Sequence, residues 1–200
     1  MFSKILIANR GEIACRIIKT AKKLGIKTVA VCSEIDINAL HSNIADECIN
    51  LGGQTSAESY LSIDKIVKAV KKTNSDAVHP GYGFLSENVN FRDEINKIGK
   101  VFIGPPSEAI ASMGDKIQSK KIAKTAGINL VPGGLDTIDG LDNAIKEAKK
   151  IGFPVMIKAS AGGGGKGMRV AFDEKELKEN FNSAINEAKA SFGDDRVFIE

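Results

Sequence analysis

A run of glycines is the part of the sequence that most clearly could do chemistry. Residues 162–167 contain five glycines, four of them consecutive, and Lys166. Backbone without side chains can bring its N–H groups close to phosphate oxygens, and Lys166 adds a positive charge. A plain glycine-rich surface hairpin is the alternative, although four consecutive glycines carry a conformational-entropy cost that ordinary hairpins avoid. We therefore expect this segment to be a loop that closes over the phosphates of a nucleotide.

The surroundings of the loop exclude two common phosphate-binding motifs. Gly162, Gly164 and Gly167 satisfy the spacing GxGxxG, but a dinucleotide-binding turn must open a helix, and Met168–Phe172 alternate like a strand. The P-loop pattern also fails, because Ser160 stands in place of its first glycine and Gly167 in place of its Ser or Thr. The sequence therefore predicts a loop between two strands.

Two lysines near the loop are candidate phosphate ligands. Lys158 lies in the apolar strand pattern Val155–Ala159, where a charged side chain needs an anionic partner, and its ammonium could reach a phosphate. A lysine that protects an exposed sheet edge is the alternative for this position. Lys116 begins a lysine-rich helical pattern that also contains Lys120, and by itself it is typical of a solvated helix face.

The elements that must position these residues follow an α/β rhythm. An apolar run at Lys4–Ala8, a helical pattern at Glu12–Leu24 and a second apolar run at Thr28–Cys32 form a βαβ unit. Similar units continue to Gly104, which predicts a doubly wound parallel sheet. After the break at Pro105 and Pro106 come two short helices, a helix–strand–loop–strand pattern and a long helix. We expect an N-terminal domain at 1–105, a helical connector at 106–130 and a smaller subdomain at 131–200.

Composition limits the class of protein. The net charge of +3 is spread without a basic block, so no nucleic-acid partner is expected, and no apolar stretch is long enough to span a membrane. The run Ile5–Ala8 is too short for a signal peptide, which favours a cytoplasmic location. Cys15, Cys32 and Cys48 lack metal-site spacing, and we expect them to be reduced core residues.

Several strings, taken together, resemble the biotin carboxylase family of ATP-grasp enzymes. They occur in order as KILIANRGEIACRI, HPGYGFLSEN, FIGPP, MGDK and IKASAGGGGKGMR. The tail NEAKASFGDDRVFIE is most similar to the carboxylase chains of propionyl-CoA carboxylases. The resemblance covers the whole chain and implies a pre-ATP-grasp domain followed by the lid of an ATP-grasp fold, truncated at its C-terminal end.

The family resemblance also implies a reaction and a set of site residues. An ATP-dependent ligase of this family activates bicarbonate with the γ-phosphate and passes the carboxyl group to protein-linked biotin. Carried over by motif, the ATP ligands are Lys116, Lys158, Gly164, Gly165 and Glu200, with Lys166 as a further loop contact. Tyr82, Phe84 and Glu87 correspond to the loop that faces biotin. No catalytic residue and no metal ligand is assigned to this segment, since the ligands of Mg²⁺ belong to the part of the family fold beyond residue 200.

The implied partners are ATP, bicarbonate, a biotin carboxyl carrier domain and a carboxyltransferase subunit, in a homo-oligomeric enzyme. The acyl acceptor is chosen elsewhere, so acetyl-CoA, methylcrotonyl-CoA and pyruvate carboxylases remain alternatives to propionyl-CoA carboxylase. A fragment that binds ATP or assembles without catalysis is the other alternative. We expect the 200-residue chain alone to be inactive, because positioned charges carry phosphoryl transfer. His79 and the turn Asn9–Glu12 are expected to have structural roles.

Overall fold

The computed structural model describes residues 1–161 and 167–200. The chain divides into two compact units, Met1–Ile110 and Ala111–Glu200. The glycines and Lys166 of the stretch 162–166, which include the predicted contacts Gly164 and Gly165, lie outside the described residues.

The first unit is built on a five-stranded parallel sheet with the order β3-β2-β1-β4-β5. Its strands are β1 (Lys4–Ile7), β2 (Lys27–Cys32), β3 (Glu47–Asn50), β4 (Ala77–His79) and β5 (Val101–Phe102). Its helices are α1 (Gly11–Lys23), α2 (Leu40–Ile44), α3 (Ile63–Thr73) and α4 (Val89–Lys97). α5 (Ser107–Gly114) follows and contains the division between the units.

Helices cover both faces of this sheet. Ile18 of α1 packs with Ile5 and Ile7 on one face, whereas Ile66 of α3 and Phe91 of α4 join the cluster on the other. All five side chains are at most 5% exposed, and each contributes about 1.5–3 kcal/mol by leaving water. The doubly wound α/β class predicted from the sequence is therefore confirmed.

Two local features differ from the sequence-based predictions. The segment that forms α2 and β3 was not predicted, because β3 is a short edge strand whose burial does not alternate clearly. Cys15 and Cys32 are buried as expected, but Cys48 is exposed on β3, so its assignment to the core was wrong.

The second unit is a three-stranded antiparallel sheet with helices packed on it. The strand order is β7-β6-β8, with β6 (Val155–Ala159), β7 (Met168–Ala171) and β8 (Val197–Ile199). The helices are α6 (Lys116–Thr125), α7 (Leu141–Ile151) and α8 (Glu174–Phe192). Ile157 and Ile199 of the sheet pack with Leu177 and Phe181 of α8 in the core.

The predicted strand after the glycine run is confirmed, since β7 pairs antiparallel with β6 across it. A dinucleotide-binding turn is excluded at this position for the same reason. Among the described residues, no helix combines the length and apolar character needed to cross a membrane.

Candidate functional site

The buried charge cluster of the second unit centres on Lys158 and Glu200. β6 is the central strand, so the alternative that Lys158 protects a sheet edge is wrong. Alternation places Ile157 in the core and turns Lys158 to the opposite face, where its Nζ binds Glu200 Oε1. Lys120 Nζ binds the other carboxylate oxygen over 2.9 Å. The side chains of Lys120, Glu200 and Lys158 are only 11%, 12% and 22% exposed, so water screens this triad weakly.

Lys116 belongs to the same cluster. It is the first residue of α6, and its Nζ donates to the carbonyl oxygen of Ala159 at the end of β6 over 3.0 Å. Burial and the positive charge of Lys158 lower the pKa of Lys116. An anion placed between the two ammonium groups would stabilise their charged forms.

Asp115 fixes the start of α6 and thereby the position of Lys116. Its Oδ1 accepts from the backbone N–H groups of Ile117 and Gln118 over 2.9 and 3.0 Å, which is the geometry of a helix N-cap. Arg196 donates to its Oδ2 over 3.1 Å. Burial opposes ionisation, but these hydrogen bonds and the charge of Arg196 lower the pKa of Asp115.

An open cavity of about 520 Å³ lies against this cluster. Lys158 and Glu200 form its polar part, and its apolar wall includes Val131, Met156 and Val170. Backbone hydrogen bonds of 2.7 and 3.1 Å pair Met156 with Glu200 and hold one side of the cavity rigidly. An apolar cavity of this size with a few convergent polar groups suits a flat heterocycle.

The cluster can bind a polyanion next to that cavity. The ammonium groups of Lys120 and Lys158 bind Glu200, and that of Lys116 is close enough to interact with the charges of Lys158, Asp115 and Glu200. Lysine ammonium groups act as point charges for phosphates, and their effect is largest where water is excluded. Phosphates over the lysines and a base in the cavity would fit this combination of charge and apolar surface.

The structure thus brings together Lys116, Lys158 and Glu200, three of the residues that the sequence marked for ATP. Sequence reasoning missed Lys120 and Asp115. Lys120 was interpreted as part of a solvated face, but the spacing from Lys116 to Lys120 is one helical turn and puts both on one side of α6. That spacing is the signal that could have identified it.

The residues marked for biotin lie in the first unit, in the turn that follows β4. The phenol of Tyr82 donates to Glu12 Oε1 over 2.6 Å, and its side chain is largely exposed. Phe84 has a φ of +43°, and its ring stacks on Tyr60 with centroids 5.3 Å apart. Glu87 is exposed shortly before α4.

Asn9 and His79 shape this turn. The buried Asn9 amide donates to the carbonyl oxygens of Pro80 and Tyr82, both over 2.8 Å. A side chain on Gly81 would reach within 2.7 Å of that amide, so only glycine fits there. Nδ1 of His79 accepts from the Gly81 N–H over 3.0 Å, and burial lowers the pKa of this imidazole. Asn9 and His79 therefore hold this turn in position, and the structural role expected of them and of the turn Asn9–Glu12 stays a prediction.

A second cavity, of about 400 Å³, lies between the segments 9–13 and 82–84. Because β1 and β4 are adjacent while their chains continue to opposite sides of the sheet, this cavity is at the topological switch point of the first unit. Ligands of open α/β sheets commonly bind at that point. For metal ions, the described residues contain no group of three His, Cys, Asp or Glu side chains that could hold one.

Known proteins match the chain along its whole length. The family described as "Biotin carboxylase, N-terminal domain" matches residues 1–110, and "Carbamoyl-phosphate synthase L chain, ATP binding domain" matches residues 115–200. The propionyl-CoA carboxylase alpha chain of Ruegeria pomeroyi is 57% identical over 200 residues, which are 100% of this chain and 29% of that protein. The chain thus spans under a third of the length of this relative.

Solved structures agree with the sequence matches. A biotin carboxylase from Campylobacter jejuni in a β-γ-ATP complex gives a TM-score of 0.97 at 46% identity, over 100% of this chain and 45% of that one. The biotin carboxylase domain of Hydrogenobacter thermophilus 2-oxoglutarate carboxylase, in complex with MgADP, ADP and bicarbonate, gives 0.95 at 45% identity, over 100% and 44%. Since the biotin carboxylase N-terminal domain matches more than half of the chain, the chain belongs to the biotin carboxylase family.

Proposed function

We propose that this chain is the N-terminal part of a biotin carboxylase that uses ATP and bicarbonate to carboxylate protein-linked biotin, in a propionyl-CoA carboxylase. The observation that carries the proposal is the cluster of Lys116, Lys158 and Glu200 beside an apolar cavity. ATP supplies the phosphoryl group that activates bicarbonate. The 57% identity to a propionyl-CoA carboxylase alpha chain supports the choice of acyl acceptor.

The residues of the second unit have separate roles in this proposal. Lys116 and Lys158 bind the phosphates of ATP, and they gain from an anion because each ammonium lies close to the other. Glu200 holds Lys158 and Lys120 in place and borders the cavity proposed for adenine. Gly164, Gly165 and Lys166 remain the proposed loop contacts.

In the first unit, the turn that carries Tyr82, Phe84 and Glu87 is proposed to face biotin. The cavity at the switch point fits a small bicyclic group, because it is bordered by the aromatic rings of Tyr82 and Phe84 and by the backbone of Gly83. Asn9 keeps this turn in position through its two carbonyl contacts. The Mg²⁺ ligands, the carrier domain, the carboxyltransferase subunit and a homo-oligomeric assembly belong to the rest of the proposed enzyme.

The test is nucleotide binding by the 200-residue chain, measured by calorimetry with ADP and ATP. Lys158→Ala and Lys116→Ala should each weaken binding about tenfold or more, because a buried charge-assisted hydrogen bond to phosphate is worth about 1.5–3 kcal/mol. Lys121→Ala is the matched control, since Lys121 is on the same helix and binds Asp136 at an exposed position. Equal affinity for the wild type and all three variants would contradict the proposed ATP site.

Catalysis is tested separately. The 200-residue chain should show no bicarbonate-dependent ATP hydrolysis, whereas the polypeptide completed by the remaining ATP-grasp segment should hydrolyse ATP in the presence of bicarbonate and biotin. Bicarbonate-dependent turnover by the 200-residue chain would overturn the prediction that it is inactive. A cytoplasmic location stays a prediction.

A further inference from the structure

The sulfur atoms of Cys32 and Cys48 lie next to each other at the edge of the first unit. The two residues are on the neighbouring strands β2 and β3, and the Cys48 thiol donates to Cys32 Sγ over 3.5 Å. Cys32 is 1% exposed, and Cys48 is exposed. Burial, followed by the contact with Cys48, raises the pKa of the Cys32 thiol to about 12. The pair therefore consists of one accessible thiol and one protected thiol in contact.

The strand register does not favour a direct disulfide between them. Cys32 pairs with Asn50 and Cys48 with Ala30, so the two cysteines are diagonal neighbours, two residues apart along the sheet. With strands about 4.8 Å apart and a rise of about 3.3 Å per residue, their Cα atoms are separated by roughly 8 Å. Disulfides need Cα separations below about 7 Å unless the backbone moves.

The same spacing suits a bridge of one atom between the two sulfurs. Two bonds of about 2.3 Å, the length of a zinc–sulfur bond, meet at roughly 100° when their sulfurs are 3.5 Å apart. Trivalent arsenic forms three bonds in a pyramid with angles near this value. Zinc needs four ligands in a closed site, and the described residues hold no third His, Cys, Asp or Glu in a suitable group.

We propose that Cys32 and Cys48 form a dithiol site for trivalent organoarsenicals. In the reaction, two As–S bonds form and two As–OH bonds of the hydrated arsenical break, and the two thiol protons leave on two water molecules. The organic group keeps the third bond to arsenic, so no further protein ligand is required.

Cys48 reacts first because it is exposed, and Cys32 closes the ring when the edge of the sheet opens locally. In the part of the chain that the structure describes, the four-residue strand β3 pairs only with β2, which makes local opening at this edge easier than in the centre of the sheet.

The test uses the 200-residue chain and phenylarsine oxide. Intact-mass measurement after gel filtration should show one arsenical per chain, and thiol titration in denaturant should then find one free thiol of the three. Alkylation and peptide mapping should identify Cys15 as the free thiol, and ethanedithiol should release the arsenical. Cys48→Ser and Cys32→Ser should each lower the affinity at least a hundredfold, whereas Cys15→Ser should leave it unchanged.

Several results would overturn the proposal. Because Cys48 is exposed, its substitution does not threaten folding, and retention of the arsenical by Cys48→Ser would be decisive on its own. Protection of Cys15 instead of Cys32 in the wild type would also refute the site. Ready formation of a Cys32–Cys48 disulfide with diamide would contradict the spacing argument.

Discussion

Replacing Asp115 by alanine removes a helix cap and an ion pair together, and comparison with asparagine separates the two contributions. Asp115 Oδ1 caps α6 through two backbone N–H groups, and Oδ2 binds Arg196, whose side chain is 50% exposed. Loss of the cap costs about 1 kcal/mol, with a range of about 0.5–2. The half-exposed ion pair adds only about 0–1 kcal/mol, because solvent screens it. We therefore expect Asp115→Ala to lower the free energy of unfolding of the second unit by about 1–2 kcal/mol.

Asp115→Asn is the matched control for this prediction. Asparagine caps helices about as well as aspartate but removes the negative charge, so the loss should be limited to the roughly 0–1 kcal/mol of the ion pair. Urea unfolding followed by circular dichroism measures both variants. With a slope of about 1.5 kcal/mol/M, the alanine variant should unfold at a urea concentration lower by about 1 M.

The cap also predicts an effect on ligand binding. Since Lys116 is the first residue after the cap, fraying of this turn should weaken ADP binding by Asp115→Ala about fivefold, the equivalent of about 1 kcal/mol. Asp115→Asn should bind nearly as well as the wild type. If the asparagine variant lost as much stability and affinity as the alanine variant, the charge of Asp115 would matter and the capping argument would be wrong.

Three other predictions follow from single contacts. Asn9→Ala should lower the stability of the first unit by about 2–3 kcal/mol, because two carbonyl oxygens lose their donor, and hydrogen exchange near Gly81 should accelerate; unchanged exchange would contradict this role. Gly133→Ala should lower the free energy of unfolding by about 1–3 kcal/mol and weaken ADP binding, because the new Cβ would lie 2.5 Å from Glu200 Cβ. Gly134→Ala is the control and should be neutral in the same urea and calorimetry measurements, because its Cβ would meet its nearest atom at 3.6 Å. Burial opposes ionisation of Glu200, but hydrogen bonds from two ammonium groups lower its pKa below the ordinary 4.5. The stabilisation from Glu200 is therefore complete above about pH 4.5 and is lost as the pH falls through the pKa of the folded state. Acid unfolding of Glu200→Gln should lack this pH-dependent component, and identical acid-unfolding profiles for variant and wild type would refute the prediction.

The sequence by itself determined the doubly wound parallel sheet of the first unit and the strand on each side of the glycine run. Apolar residues recur at every second position in the strand β6 and at every third or fourth position in the helix α1, and this local repeat predicts each element. It also identified Lys158 as unusual, because a charge within an apolar strand pattern needs a partner. The short edge strand β3 escaped this reasoning, since its alternation is weak where one side of a strand is exposed.

Only the tertiary structure decided which charges meet. Glu200 follows Lys158 by 42 positions, and only the pairing of β6 with β8 brings their side chains to one face of the sheet. In the same way, the one-turn spacing of Lys116 and Lys120 indicates a shared site only because the fold brings Glu200 to that side of α6, where Lys120 binds it. The contact between Cys32 and Cys48 depends on the register of β2 and β3. Local propensity sets the elements, but contacts between residues far apart in sequence depend on strand order and register, which no local pattern specifies.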